Sequence, residues 1–526
     1  MALQDYLALR NGTDVRGVVL ENEYNEKINL TTEITENISR AFCMWLTEKT
    51  GIADLHIAVG YDSRLSSPML CQAVLNGIVD MGHTAVSTGL STTPSMFMLL
   101  KDERQNRAFS YDGSIMITAS HLPFHRNGLK FFTQRGGLDG EDVKEILTLA
   151  ATCDFPESML GRKLEIPYLD SYAETLVQTV RTACSESEPL KGKHIIVDAG
   201  NGVGGFYASK VLIPLGANVS GSQFLEPDGH FPNHIPNPEN AEAMRSICQA
   251  VVASGAELGI IFDTDVDRAG AVDKNGKEIN RNRLIALISA ILLAEKSGTI
   301  VTDSVTSEGL TKFIASRGGR HHRFKRGYKN VINEAIRLNE EGEYTPLAIE
   351  TSGHAAFLEN HFLDDGAYLV TRLLIALAKA SKEGKSLTDL IRDLEEPKAA
   401  YEIRLRFQSD CDFKTLGAKI LKDFETSVAR RSHVALTPNN YEGCRVQYDK
   451  THGDGWALLR MSLHEPIMPI NVESNVEGGS FQILKDVYYA LRKYECLDTA
   501  PLAKIVENLR EQRATALLDA LGSSNV

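Results

Sequence analysis

Three segments of this chain begin alike, with a short β-branched run that empties into a polar loop. They are Ile57-Ala-Val-Gly-Tyr-Asp-Ser-Arg64, Ile195-Ile-Val-Asp-Ala-Gly-Asn-Gly202 and Thr299-Ile-Val-Thr-Asp-Ser-Val-Thr-Ser307. Continuous apolar strands of this kind fit sheets that are buried on both faces. Helical patterns lie between them. Thr35 is placed to cap a helix whose Ile38, Ala41, Phe42, Trp45 and Leu46 share one face. Ser67 is a second N-cap candidate, with Pro68 at the first helical position and Gly82 as the stop. Strands alternating with helices give α/β units, and the three similar openings predict three related mixed α/β domains. After about Pro397 the pattern changes. Tyr401-Glu-Ile-Arg-Leu-Arg-Phe407 alternates, as does much of Trp456 to Ile470, which predicts a smaller C-terminal α+β domain with an antiparallel sheet. A last helix is expected from Pro501 to Leu521, with the following Gly-Ser-Ser-Asn frayed. At 526 residues the chain exceeds one hydrophobic core. Four domains are expected, at 1–165, 166–275, 276–397 and 398–526.

Charge and cysteines narrow the class. The net charge of −13, from 69 acids against 56 bases, argues against nucleic acid as a partner, because phosphate backbones need basic surfaces. A small anionic substrate remains compatible, since local Arg and Lys can overcome a negative total. Cys43, Cys71, Cys153, Cys184, Cys248, Cys411, Cys444 and Cys496 show no paired short spacing, which excludes a zinc or redox motif and reads as reduced thiols in an intracellular compartment. Met1 to Leu20 lacks a basic stretch followed by an apolar one, so no secretory signal is expected. The longest apolar stretch, Leu284 to Ala294, is too short to span a bilayer, and no membrane partner is expected. The expected location is the cytoplasm, or a plastid if a transit peptide has been removed.

The sharpest chemical signal is Asp263-Thr-Asp265-Val-Asp267-Arg268, directly after the apolar run Leu258-Gly-Ile-Ile-Phe262. In an extended loop, residues at i, i+2 and i+4 point the same way, so three carboxylates converge, an arrangement suited to a hard cation such as Mg²⁺ or Ca²⁺. The bland alternative is a solvated acidic loop. An EF-hand does not fit, because Arg268 stands where Gly is needed and Lys274 where Glu is needed. A second signal is Ser114-Ile-Met-Ile-Thr-Ala-Ser120-His121, a strand ending in a nucleophile beside an imidazole, with Pro123, Gly128 and Lys130 following. A serine at a strand end is often only a helix cap, and no Gly-x-Ser-x-Gly elbow surrounds this one. Three weaker loops complete the set. Glu350-Thr-Ser352-Gly353-His354, followed by Asp364-Asp365-Gly366, offers donors and acceptors for sugar hydroxyls. Lys325-Arg326-Gly327-Tyr328-Lys329 is a basic loop, either facing an anion or merely solvated. Arg460-Met-Ser462-Leu-His464-Glu-Pro466 could hold a phosphate through an Arg fork, a hydroxyl and loop amides.

In this order and over nearly the whole chain, these segments resemble the α-D-phosphohexomutase family. Thr118-Ala-Ser120-His121 with Asn127-Gly128-x-Lys130 is similar to the family's active-serine loop, and Asp263, Asp265, Asp267 and Arg268 to its metal loop, with Thr264 and Val266 where glycines are frequent. Glu350-x-Ser352-Gly353-His354 looks like its sugar-binding loop. Gly12-Thr-Asp14-Val-Arg16-Gly17 and Gly60-Tyr-Asp62-Ser63-Arg64 resemble further N-terminal signatures. The resemblance implies four domains around a central cleft, each giving one loop, and a phosphoryl group carried on Ser120. It implies one Mg²⁺ held by the three aspartates and a phosphoserine oxygen, with glucose 1,6-bisphosphate as activator and intermediate. Arg16, His121 and Lys130 would share charge stabilisation and proton transfer. Arg268, Gly327, Tyr328, Lys329, Glu350, Ser352, His354, Arg460, Ser462 and His464 would bind substrate. The implied reaction interconverts hexose 1- and 6-phosphates in a monomer or homodimer.

Two loops depart from the family pattern. Leu463 and His464 stand where the phosphate loop usually has two small polar residues, and each lost charge-assisted hydrogen bond weakens binding by about 1.5–3 kcal/mol. Glu473-Ser474-Asn475 looks superficially like that loop, but Glu473 would repel a phosphate. Tyr328 occupies a position where many bacterial relatives have His, and it cannot carry positive charge at neutral pH. The competing readings are a phosphoglucosamine mutase, whose relatives place Gln where Thr351 stands, a weakened sugar-phosphate-binding homologue and a serine phosphatase.

Overall fold

The computed structural model describes residues 2–102, 110–155, 159–409, 411–428, 430–462 and 465–523, with side chains through residue 514. The chain divides into two compact units, Met1–Ile291 with Pro346–Arg392 and Leu292–Thr345 with Asp393–Val526.

In the first unit, the opening strand signals form the centre of an eight-stranded mixed sheet. Strand His56–Tyr61 lies between two parallel neighbours, Thr84–Leu90 and Gly113–Ile117, and the last of these pairs antiparallel with Arg126–Thr133. All five residues of Gly113–Ile117 are buried, which explains the apolar run. Because the two strands are parallel, with Tyr61 opposite Ile117, the loops carrying Asp62–Arg64 and Thr118–His121 leave the same sheet edge. Helix Thr32–Thr50 buries the expected Ile38, Ala41, Phe42, Trp45 and Leu46. Its cap is Thr31 rather than Thr35, because Thr31 Oγ1 accepts from Ile34 N at 3.3 Å while the Thr35 hydroxyl donates back to Thr31 O at 2.8 Å. Likewise Ser66 precedes helix Ser67–Asp80, since the Ser67 hydroxyl donates to Asp62 at 2.8 Å and serves the neighbouring loop instead.

A second sheet places strand Leu258–Phe262 between parallel Ile195–Asp198 and antiparallel Ala269–Asp273. Phe262 pairs with Ala269, so residues 263–268 form a tight hairpin connection. The loop Glu350–His354 joins another antiparallel pair, Leu347–Ile349 and Ala355–Phe357.

The second unit carries parallel strands Thr299–Thr302 and Arg320–Arg323. Its five-stranded antiparallel sheet runs Ala399–Arg406, Ile467–Ser474, Gly455–Leu459, Cys444–Tyr448, Val434–Leu436 in spatial order. The alternating stretch from Trp456 to Ile470 is thus two strands with Arg460 and Ser462 in the turn between them. The last helix runs Ala500–Ser523, through the expected frayed Gly522 and Ser523, and residues 524–526 lie outside the described part. No helix among the described residues is long and apolar enough to cross a membrane, and the cysteines are all free thiols.

A buried cation ties this unit together. Arg445 lies 3.6 Å over the Trp456 ring and donates to the carbonyls of Ser304 (2.7 Å) and Thr306 (3.0 Å) and to Glu308 (3.1 Å). Glu473, within strand Ile467–Ser474, accepts from Trp456 Nε1 at 2.8 Å, a lining role that leaves it no part in a phosphate loop. Burial pushes its carboxyl up from 4.5 to about 7, against the pull of the Trp456 N–H and of Arg445 and Arg323. A carboxyl raised in the folded state stabilises the fold fully below pH 4.5, and that contribution is lost as pH rises through about 7. It amounts to about 3 kcal/mol. The melting temperature is therefore expected to fall across that window. Glu473→Gln, which keeps an acceptor for Trp456, should flatten the fall, and an equally steep profile in the variant would contradict the assignment.

Candidate active site

Ser120 sits three residues beyond its strand in a left-handed backbone conformation (φ 49°), and it is buried. Its amide donates to Thr118 Oγ1 at 2.9 Å. Arg64, fully buried, closes the loop from behind. Its guanidinium donates to the carbonyls of Ser120 (2.5 Å), Leu122 (2.6 Å), Pro123 (2.8 Å) and Arg126 (3.0 Å), and its Nε faces Asp62 at 3.2 Å. Gly128 explains its own place in the sequence. A Cβ there would lie 2.1 Å from Val15 O and 2.8 Å from Arg16 Cδ, so only glycine lets the strand bearing Arg16 lie this close. Arg16 donates to Asp14 at 2.6 Å and to the Thr118 carbonyl.

Three aspartates meet this serine. One oxygen each from Asp263, Asp265 and Asp267 lies within 4.8 Å of the others, all buried. The convergence comes from a turn, not from the extended loop that the spacing suggests: Val266 is left-handed (φ 66°) and Arg268 N donates to Asp263 Oδ1 at 3.2 Å. Ser120 Oγ donates to Asp263 Oδ2 at 3.1 Å and lies 3.3 Å from His121 Nδ1. Lys130 Nζ reaches Asp265 at 3.0 Å and Asp267 at 2.5 Å. Thr93 fixes Asp265 twice, through its hydroxyl at 2.5 Å and through its amide to the Asp265 carbonyl at 2.9 Å. Arg268 Nε donates to His354 Nε2 at 2.8 Å, and His354 Nδ1 lies 3.3 Å from Asp364.

Charge within the group is uneven. Burial, followed by the negative Asp267 and Asp265, pushes the Asp263 carboxyl well above the usual carboxylate range. Burial also opposes ionisation of Asp267, but Lys130, His354 and Arg268 outweigh it and hold that carboxyl low. Burial acts against the Lys130 charge, yet Asp265 and Asp267 keep the ammonium well above its ordinary value. Burial, with Arg268 and Arg16, drives the His121 imidazole down to about 3, so it is neutral. The crowding of negative charge from Asp265 and Asp267 is part of what disfavours ionisation of Asp263, and a cation held among the three would relieve it. Asp265 Oδ1 and Asp267 Oδ1 are buried without a hydrogen-bond partner. Such oxygens are costly unless something fills them, and an all-oxygen donor set of this charge fits a hard divalent cation. A serine hydroxyl beside that cation site, with Lys and Arg at hand, suits phosphoryl transfer, in which positioning and neutralisation of spread charge dominate.

In the hairpin loop after Leu347–Ile349, Glu350, Ser352 and His354 are all buried. Ser352 Oγ has no hydrogen-bond partner. Gly353 O accepts from Ala269 N at 3.4 Å, which fastens this loop to the aspartate turn.

The second unit holds the other expected residues. Residues 325–329 are not all loop: Gly327 (φ 112°) caps helix Tyr328–Glu340, so Tyr328 and Lys329 are its first two residues. The reason is local, as Asn330 Nδ2 donates to Arg326 O at 2.7 Å and Val331 N to Gly327 O at 3.3 Å. Arg460 is buried at the end of its strand, and Ser462 Oγ accepts from Glu465 N at 3.2 Å. His464, with Leu463, lies outside the described residues.

Comparison with known proteins places this architecture. Family models for the three α/β/α domains of phosphoglucomutase/phosphomannomutase match residues 8–157, 170–276 and 280–397 in order. A phosphoglucomutase of Neisseria gonorrhoeae is 30% identical over 89% of this chain and 93% of its own. A phosphomannomutase/phosphoglucomutase of Pseudomonas putida is 29% identical over 84% and 90%. A solved phosphoglucomutase/phosphomannomutase family protein of Burkholderia thailandensis superposes with a TM-score of 0.75 at 25% identity, covering 93% of this chain and 97% of that one. The chain belongs to the phosphoglucomutase/phosphomannomutase family of phosphohexomutase enzymes.

Proposed function

We propose that the protein interconverts hexose 1-phosphates and hexose 6-phosphates through a phosphoserine at Ser120, most readily on glucose phosphate. The observation that carries this reading is the serine hydroxyl 3.1 Å from Asp263, at the rim of three converging carboxylates, two of which, Asp265 and Asp267, each keep one buried oxygen without a hydrogen-bond partner. Asp263, Asp265 and Asp267, with an oxygen of phosphorylated Ser120, would hold one Mg²⁺. That cation would supply charge neutralisation at the phosphoryl group. Lys130, held cationic, and Arg16 face the same region and offset further charge. His121, kept neutral, orients the Ser120 hydroxyl through Nδ1. The phosphoryl group passes from Ser120 to the free hydroxyl of the hexose monophosphate as the P–Oγ bond breaks, and the hydroxyl's proton ends on Ser120 Oγ; the bisphosphate then returns its other phosphoryl group to Ser120, whose proton passes back to the sugar oxygen that is freed. Glu350, Ser352 and His354 offer hydrogen bonds to sugar hydroxyls, with Arg268 beside them. Gly327, Tyr328, Lys329, Arg460, Ser462 and His464 are the candidates for holding a substrate phosphate. On this reading the segments 1–165, 166–275, 276–397 and 398–526 are the four domains that carry these loops.

The test is a mutase assay with Mg²⁺ and catalytic glucose 1,6-bisphosphate on the 1-phosphates of glucose, mannose and glucosamine in parallel. Conversion of glucose 1-phosphate to its 6-phosphate without stoichiometric phosphate release is expected. Release of inorganic phosphate in bulk would mark a phosphatase, and exclusive conversion of the glucosamine ester would mark the aminosugar enzyme.

A further inference from the structure

In the second unit the arginine of the phosphate loop already faces a carboxylate. Glu442 Oε2 accepts from the Ser304 hydroxyl and, at 3.1 Å, from the backbone N–H of Arg326. Its other oxygen lies 3.8 Å from Arg460 NH1. Two hydrogen bonds thus fix the carboxylate beside NH1 of the Arg460 guanidinium, whose Nε is buried without a partner. The next residue makes this approach possible. Gly443 is left-handed (φ 60°), and a Cβ on it would lie 2.1 Å from Leu459 O and 2.8 Å from Arg460 Cα. The other charges that reach Arg460 are Arg326, Glu402 and Asp303. Glu402 is itself paired with Arg404 at 2.9 Å, and Asp303 lies 4.0 Å from Arg326. Arg460 therefore has a carboxylate partner in Glu442 before any ligand arrives.

We infer that Glu442 is a specificity-determining positioning residue, an internal counter-anion that orients Arg460 and tempers its affinity for the substrate's phosphate. The inference rests on the reading of Arg460 as a phosphate ligand. A dianion entering beside Arg460 shares that guanidinium with a fixed negative charge, which repels it over a few ångströms. The cost is useful in a reaction whose bisphosphate must let go and present its other end, because a phosphate held too tightly slows that exchange. Glu442→Gln keeps an oxygen for Ser304 and Arg326 while removing the charge, so it separates charge from geometry.

The experiment compares full-length wild type, Glu442→Gln and Arg460→Ala in KM for glucose 1-phosphate and in competitive inhibition by inorganic phosphate. Glu442→Gln is expected to lower both constants by about 3–10-fold, with kcat unchanged or reduced. A purely structural role would raise KM or leave both constants alone, and either result in the folded variant overturns the inference. Arg460→Ala is expected to raise both constants. If it does so while Glu442→Gln moves neither, Arg460 keeps its role and Glu442 loses the one inferred here. If Arg460→Ala moves neither constant, the phosphate-ligand reading fails and the inference falls with it. Should Glu442→Gln not fold, Glu442→Asp withdraws the charge by one methylene and is expected to lower both constants about twofold, by the same distance dependence. No change there also overturns the inference.

Discussion

Ser120→Ala is expected to abolish mutase turnover, with a loss on the order of 10⁴-fold or more, while the melting temperature barely moves. The size follows from the role. Without Oγ there is no atom to carry the phosphoryl group between the two ends of the hexose, and no neighbour can replace it. The His121 Nδ1 contact is made to the Ser120 hydroxyl itself, and the Lys130 ammonium, bound to Asp265 and Asp267, has no free electron pair to attack with. The fold should tolerate the change because the loop is held through its backbone. Arg64 donates to four carbonyls of residues 120–126, and Thr118 accepts from the Ser120 amide, none of which involves the serine hydroxyl. Normal turnover by a folded Ser120→Ala variant would remove the phosphoserine from the account.

Asp265→Asn carries the second largest effect. The substitution is nearly isosteric and leaves an acceptor for Thr93, so packing should survive. It removes one of three negative charges from the cation site, and it leaves Lys130 with Asp267 alone. Metal affinity is expected to drop on the order of 10²-fold or more, and the rate at subsaturating Mg²⁺ should fall with it. Titration of activity against Mg²⁺ separates this from general damage, because added metal should restore part of the rate. An unchanged titration would show that the aspartate turn is not the metal site.

The parts of the fold legible in the sequence are those written in short-range pattern. Leu258–Phe262 and Gly113–Ile117 are buried along their whole length, so their apolar runs announced strands without ambiguity. The helix starts were misplaced by one to four residues because hydroxyls compete for the same amides: Thr31 takes the cap that Thr35 resembles, and Ser67 is drawn to Asp62. The aspartate trio was visible in its spacing, yet a left-handed Val266 and a tight turn bring the carboxylates together, not extended backbone. Tyr328 and Lys329 read as loop because a positive-φ glycine before them hides a helix start.

The supporting residues were harder to see, for a physical reason. Arg64 stands 56 to 62 positions from the carbonyls it holds, and its motif gave no sign of which backbone it would meet. Thr93 carries no motif of its own and opens a helix before Pro94, yet it fixes Asp265 from 172 residues away. Glu442 lies in an unremarkable Tyr-Glu-Gly stretch, and only the folding of Ser304 and Arg326 against it gives it a role. Nucleophiles and metal ligands announce themselves by residue type, whereas the groups that aim them are chosen by tertiary contact.

The mechanism turns on Ser120 carrying the phosphoryl group. The most direct measurement is to incubate the protein with Mg²⁺ and glucose 1,6-bisphosphate, then locate phosphate by intact-mass and peptide mass spectrometry. A single phosphoryl group is expected on Ser120, removed on adding excess glucose 1-phosphate and absent from Ser120→Ala. A phosphoryl group on another residue, or full turnover with Ser120 never modified, would contradict it.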